Sequence, residues 1–539
     1  MKHSKLYYIA GIGMCLLALS FGGYYEFVNT IFAGIGILIF LFEVMVRKVN
    51  IQKLTDGFWF SAVLFVGYGI SCFYAVDQGI ALLGFGKKSL FFVWGCLLLL
   101  LSKEEKKSLL GWISYIGVAM VISSGVAYMI PALREYVFTQ NRLAGWFQYA
   151  NTCGGFLLIG SVILLLKEKK SKWEMAMLPI LLLGVLLTGS RSTFLILLVV
   201  YCYLVIKMSS MRKGLLIIGG ASIVFIVAVL IFTGNTDNIA RIATVFSESS
   251  TIYGRALYNY DGVHQLIKHP FGLGYLGFFY IQNGIQTGLY SVKYIHNDWL
   301  QIGLDIGVIP MLFVLFFLFK NLWKRRKDTR EFLVLFIIIV QSFMEFNLEY
   351  SIMGLILMLC LQEESISYSK HSVIKKVSVC ICSVLVLPLI YVSIPLTLGY
   401  MDKSEMALKY YPWETNEQLK LLSGCEEEEK AEQLAKDILK RNKTCSLAYD
   451  ALGIVAVNEG RYEDAVKFMK LSIENNRYEI QGYQQLEWLL MEIVQQGVVE
   501  NPHYYLDEYE KLLQIKEKNQ NEVSFFGKKI ADKVNLFSE

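Results

Sequence analysis

Charge is what this chain has least of. Charged residues make up 18% of the 539 positions against 55% hydrophobic, and up to about residue 400 most of them fall in the breaks between apolar runs. That distribution excludes an ordinary water-soluble domain over this stretch and gives no basic face for nucleic acid. A metal framework is missing too. Of ten cysteines, eight (Cys15, Cys72, Cys96, Cys153, Cys202, Cys360, Cys380 and Cys382) sit in apolar runs, where the residue behaves as a small hydrophobe. His264 and His269 are five apart, a poor helical spacing for shared ligation, so no zinc, other metal or cofactor is expected. Gly272, Gly274 and Gly277 are not embedded in the strand–turn–helix unit that a dinucleotide site requires. The first apolar run lacks a clear small-residue cleavage site, so it reads as a retained helix.

What is present is about thirteen apolar runs, each near the roughly 20 residues needed to cross a bilayer core. They fall at about 7 to 22, 27 to 46, 58 to 75, 89 to 101, 109 to 130, 146 to 166, 175 to 189, 192 to 206, 214 to 232, 297 to 319, 332 to 346, 350 to 361 and 377 to 399. With a cytoplasmic amino terminus, every second connection is cytoplasmic. Those connections hold Lys48 and Lys53, Lys103 to Lys107, Lys167 to Lys172, Lys207 to Lys213, Lys320 to Arg330 and Lys370 to Lys376. The positive-inside bias is met throughout. The expected fold is an all-α polytopic transmembrane bundle over residues 1–400, amino terminus in and carboxyl terminus out. A large external loop is expected at about 233–296, and an extracytoplasmic helical domain at 401–539. The runs 89 to 101 and 350 to 361 are short for spans.

On this map Arg134, Arg142, Arg191, Arg241, Arg255, Lys268 and Lys293 lie on the outer face, where the bias depletes basic residues. Arg191 interrupts two apolar runs in Thr188-Gly189-Ser190-Arg191. An arginine near the membrane plane faces a polar cavity or a partner, or else snorkels to headgroups. The outer loop ends in His296-Asn297-Asp298-Trp299, placing on the same face a side chain that exchanges a proton near neutral pH. Asp298 and Glu248 are alternative bases.

Four stretches together resemble the O-antigen ligase and polymerase superfamily of bacterial membrane glycosyltransferases. They are Asn141-Arg142 through Asn151-Thr152; Thr188 to Arg191; Gly254-Arg255 through His269-Pro270-Phe271-Gly272-Leu273-Gly274; and His296 to Gln301 with Asp305-Ile306-Gly307. The resemblance covers roughly residues 1 to 400. It implies metal-independent, inverting transfer of a glycan from an undecaprenyl-diphosphate-linked donor to a hydroxyl acceptor, glycan or protein, at the outer side of the bacterial cytoplasmic membrane. It also implies that Arg191 and Arg255 engage the diphosphate and that His296 is needed for transfer. Arg142 is expected to help hold phosphate or sugar. The alternative is a transporter or flippase of lipid-linked glycans, which predicts charged residues near mid-span and an inverted repeat; neither is clear in the sequence.

Beyond Met401 the sequence turns charged and helical. A shift of 34 residues lays Ala431 on Ala465, Leu434 on Phe468, Ala435 on Met469 and Leu439 on Ile473, similar to the period of a tetratricopeptide repeat. Fewer than three good repeats are visible. Such arrays bind proteins or peptides, so residues 403–539 are expected to engage a protein partner or position the acceptor. Cys425 and Cys445 are free to pair if the segment is outside the cell.

Overall fold

A computed structural model describes residues 3–48, 54–209, 212–217, 220, 249–361, 371–497 and 501–530. In chain order its helices are α1 (Lys5–Leu19), α2 (Glu26–Leu41), α3 (Asp56–Ser71), α4 (Gln78–Leu98), α5 (Lys103–Leu109), α6 (Trp112–Tyr128), α7 (Pro131–Val137), α8 (Ala150–Leu165), α9 (Lys172–Leu187) and α10 (Arg191–Lys207). Then follow α11 (Ser249–Lys268), α12 (Gly277–Ile285), α13 (Asp298–Ile306), α14 (Val308–Arg325), α15 (Thr329–Ser342), α16 (Ser351–Cys360) and α17 (His371–Tyr400). The remainder are α18 (Ser404–Tyr410), α19 (Thr415–Ser423), α20 (Glu428–Leu439), α21 (Ser446–Asn458), α22 (Tyr462–Asn475), α23 (Ile480–Gln496), α24 (Pro502–Asn521) and α25 (Phe525–Ile530). Among the described residues the strands are two short pieces, β1 (Phe138–Thr139) and β2 (Arg142–Leu143), paired antiparallel. The fold is all-α. Among the described residues four helical stretches are long and apolar enough to cross a membrane, namely Glu26–Val46, Gln78–Leu98, Lys103–Tyr128 and Val373–Tyr400.

Two groups of helices build the apolar core. In the first, α4 lies between α2, α3 and α16, while α17 runs along α2. In the second, α8 is enclosed by α6, α9, α10 and α15. Every residue of α16 is buried, which accounts for an apolar run of only ten residues: it is a core element, whose ends are met by protein. At one end of the bundle lie the connections rich in basic residues. There Lys320 reaches Asp56 at 2.8 Å, Lys107 reaches Asp328 at 2.9 Å, and the Ser4 N–H donates to Glu105 at 2.7 Å.

Two elements differ from the hydropathy reading. The short run at 89 to 101 is the second half of α4, which starts at Gln78 because Asp77 caps it by accepting the Ile80 N–H at 3.0 Å. The first half of α4 packs against Trp413 at Gly79 and against Tyr275 at Gly84. The run at 297 to 319 is two helices, broken at Gly307, whose φ is +94°. The backbone groups freed at the break are satisfied by chain from elsewhere. Leu273 N–H donates to Leu304 O at 2.6 Å and Gly274 N–H to Asp305 O at 3.0 Å, while Val308 N–H donates to Pro270 O at 2.9 Å. Gly272 also has a positive φ, and a Cβ there would lie 2.7 Å from Asp305 O. The glycine-rich loop and the Asp305-Ile306-Gly307 bend therefore form one backbone-to-backbone seam.

The carboxyl-terminal helices stack in sequence, α20 on α21, α21 on α22, and so on to α24. Helices α20 and α22 begin at Glu428 and Tyr462, 34 positions apart. They fold back onto α12 and the chain just after it: Tyr280 OH donates to Asn416 Oδ1 at 2.9 Å, Arg477 N–H to Asn283 O at 3.1 Å, and Ser524 N–H to Thr287 O at 2.8 Å. Cys425 and Cys445 are both free thiols. The run at 214 to 232 lies for the most part, and Arg241 and Glu248 entirely, outside the described residues.

Asp77 joins the two parts. Fully buried, it also accepts Thr415 Oγ1 at 2.6 Å and Asn442 Nδ2 at 3.3 Å. Replacing it by Ala removes a helix cap and leaves two buried donors unmatched, a loss of about 3 kcal/mol. The expected outcome for Asp77→Ala is a lower melting temperature in detergent and faster proteolysis between residues 401 and 415; an unchanged melt and cleavage pattern would refute this joint.

Candidate active site

The site begins in a two-residue hairpin. Gln140 and Asn141 both have positive φ, 51° and 60°, the geometry that lets so short a turn match the twist of its strands. It delivers Arg142 at the base of β2. Arg142 Nε donates to Thr188 O at 2.7 Å and its Nη2 to Asn151 Oδ1 at 2.6 Å. The first contact fixes the Thr188–Arg191 turn, where Gly189 takes φ +54° and Ser190 caps α10 by accepting the Thr193 N–H. Arg191 is the first residue of that helix and is half-buried.

These pieces meet at Glu345, a residue the sequence reading placed inside an apolar run. Its side chain is fully buried. Oε1 accepts Arg255 Nη2 at 2.6 Å and Asn151 Nδ2 at 2.9 Å, with Ser192 Oγ at 3.5 Å; Oε2 accepts Tyr149 OH at 2.6 Å. A carboxylate in the interior needs such a set of donors, since an unpaired buried charge is strongly unfavourable. Arg255, near the start of α11, keeps 26% of its side chain exposed, so its other N–H groups remain within reach of solvent or ligand. Glu345 thus brings together the Tyr149/Asn151 stretch, the start of α10 and Arg255.

His296 lies beside this cluster, 5.4 Å from the Tyr258 ring and 5.0 Å, edge to face, from Phe346. Its Nδ1 is buried with no hydrogen-bond partner. Burial pushes its imidazole down to about 4, with Arg255 adding to the fall and Glu345 opposing it. The ring is therefore neutral near pH 7 and able to accept a proton. Asp298 is buried and holds the Leu348 N–H at 3.0 Å, so it braces the connection between α15 and α16.

A second buried cluster adjoins the first and was missed in the sequence. Lys87 and Lys88, mid-way along α4, donate to Glu349 at 2.9 and 2.7 Å. Lys87 also reaches Tyr275 and Tyr294, each at 3.3 Å, and Tyr275 OH donates to Glu26 at 2.7 Å. A signal was available: on the topology map both lysines fall on the outer side, the same departure that singled out Arg191. Glu345 and Glu349 were harder to see, because one lies in the last residues of an apolar run and the other in the three-residue break that follows it.

Two outcomes follow. Glu345→Ala strands the Arg255 charge and is expected to destabilise the protein by about 3 kcal/mol, the lower end for broken buried pairs because Arg255 is partly solvated; Glu345→Gln, which keeps one acceptor oxygen, should lose less, as read by thermal unfolding. For His296, whose folded pKa lies below the ordinary 6.5, the neutral form is favoured by folding. Its contribution is fully present above about pH 6.5 and is lost as pH falls towards 4. NMR of labelled histidine should show a neutral His296 ring at pH 6, and a titration midpoint above 6 would mean that the ring is solvated.

Compared with known proteins, the chain finds no match among curated proteins. Residues 176–315, a little over a quarter of its length, match the family described as O-antigen ligase, and that segment contains Arg191, Arg255 and His296 but neither Arg142 nor Glu345.

Proposed function

We propose that this protein is a membrane glycosyltransferase of the O-antigen ligase type. It transfers or polymerises glycan from an undecaprenyl-diphosphate-linked donor onto a hydroxyl of a glycan or protein acceptor, at the outer face of the bacterial cytoplasmic membrane, in the building of cell-surface polysaccharide or glycoconjugate. The observation that carries this reading is the convergence of the Arg142, Arg191, Arg255 and His296 stretches around one buried carboxylate, Glu345, three of these residues falling in the matched segment.

In the proposed step the acceptor oxygen attacks the anomeric carbon while His296 takes its proton. The bond from that carbon to the diphosphate oxygen breaks, its electron pair leaving with the lipid diphosphate, and the anomeric configuration inverts. Negative charge grows on the leaving group. Arg255 and Arg191 stabilise it through fixed guanidinium N–H groups, which suit phosphate oxygens geometrically and need no metal. Arg142 keeps the Thr188–Arg191 turn in place and adds a third positive charge beside the phosphates. Glu345 holds Arg255 still, and its charge favours the imidazolium that forms on His296. Helices 403–539 position the acceptor or a protein partner against the outer loop.

The test is release of undecaprenyl diphosphate from a native-extract glycolipid pool by the purified protein, with cell-envelope acceptor present. Wild type should release it, and His296→Ala, Arg191→Ala and Arg255→Ala should each fall by about 100-fold or more, the usual scale for removing a proton acceptor or a charge stabiliser. Wild-type rates in both His296→Ala and His296→Gln would remove the base role. No release by wild type, with lipid moving across vesicles instead, would turn the reading to a flippase.

A further inference from the structure

Where α2 and α17 meet the first carboxyl-terminal helices there is a cavity of about 280 Å³, close to the lower end of the roughly 300–1,000 Å³ typical of small-molecule sites. One part of its wall is aromatic: Tyr400 lies 4.9 Å from Tyr25 and 4.8 Å from Phe27, ring centre to ring centre. The other part is polar and supplied largely by the segment after α18. Glu414 is nine-tenths buried there. Its Oε1 accepts Asn416 Nδ2 at 2.9 Å, but its Oε2, also buried, has no partner. Burial pushes this carboxyl up to about 8, with Glu26, Glu417 and Asp77 adding to the rise and Asn416 opposing it. An acceptor oxygen left bare inside a cavity lacks a donor, and a ligand is one source of it.

Charge narrows the choice of donor. Three carboxylates face the space, Glu26, Glu414 and Glu417. Its two lysines are matched, Lys420 to Glu417 at 3.0 Å and Lys293 to Glu26 at 3.9 Å. With both lysines already matched to glutamates, no cation is left over to hold a phosphate or uronic acid, and a hydrocarbon tail would leave Glu414 unmatched. A pyranose meets both requirements, since its hydroxyls donate to carboxylates while its C–H face lies on an aromatic ring. The cavity is also joined to the candidate active site by a chain of rings. Tyr149, which donates to Glu345, is parallel to Tyr350 at 6.2 Å; Tyr350 is 5.0 Å from Tyr24, and Tyr24 is 5.3 Å from Tyr25.

We propose that this cavity is a glycan subsite, holding an uncharged or amino-bearing pyranose some sugar units away from the bond being made, with Glu414 accepting its hydroxyls and Tyr400 covering its face. The inference rests on the glycosyltransferase reading for its purpose but not for its test. The full-length protein in detergent is passed over an array of neutral, amino-sugar and uronic-acid pyranose oligosaccharides. Wild type should bind neutral or amino members, and uronic-acid members least. Glu414→Gln and Tyr400→Ala should each weaken binding at least tenfold, whereas His296→Ala should bind as wild type does. Binding unaffected by both cavity substitutions, or no neutral or amino glycan bound by wild type, would overturn the proposal. Binding with this pattern in a protein that releases no undecaprenyl diphosphate would overturn the transferase reading alone. Within the transfer assay, a raised KM for donor only assigns the subsite to the donor chain, and for acceptor only to the acceptor chain.

Discussion

A single buried carboxylate, Glu345, sets the geometry on which the end of the bundle around the candidate site depends. Nothing in an apolar interior compensates a charge except donors brought to it, and Glu345 draws them from four places: Tyr149, Asn151, Ser192 and Arg255. Pairs of this kind often add little net stability, because desolvation offsets most of the Coulomb gain. What they fix is arrangement. Four residues further on, Glu349 does the same for Lys87 and Lys88. The short connection between α15 and α16 thus carries both anions around which the cationic side chains of two distant chain segments are gathered.

That connection explains which parts of the molecule could be read in the sequence. Apolar runs locate helices because a helix satisfies its own backbone, and the runs at 27 to 46, 109 to 130 and 377 to 399 coincide with long helices near their expected ends. The same logic fails where backbone groups find partners from afar. The continuous run at 297 to 319 gave no sign of a break at Gly307, since the chain at Pro270–Gly274 supplies what the break leaves open. The arginines were legible through their unusual side of the topology map, and His296 through its polar neighbours. Glu345 was not, because an acid at the end of an apolar run looks like a boundary until its four donors are seen.

The carboxyl-terminal segment shows a similar mixture. Its 34-residue period is repeated in the starts of α20 and α22, because the period reflects local packing of one helix pair on the next. Its attachment is not periodic. It runs through single buried contacts such as Asp77 with Thr415 and Tyr411 OH with Gly79 O at 2.9 Å, which no spacing rule announces. The attachment leaves the segment after α18 facing inward, so residues outside the apolar runs help to wall a cavity beside α2.

The seam between Pro270–Gly274 and the broken helix α13–α14 has a mechanical meaning. Three main-chain hydrogen bonds cross it, and a side chain at Gly272 or Gly307 would collide with main-chain atoms opposite. A loop stitched down in this way cannot swing like a lid, for lifting it would uncover carbonyls of the broken helix that have no other partner. The Pro270–Gly274 loop and the bend at Gly307 therefore move, if at all, as one piece.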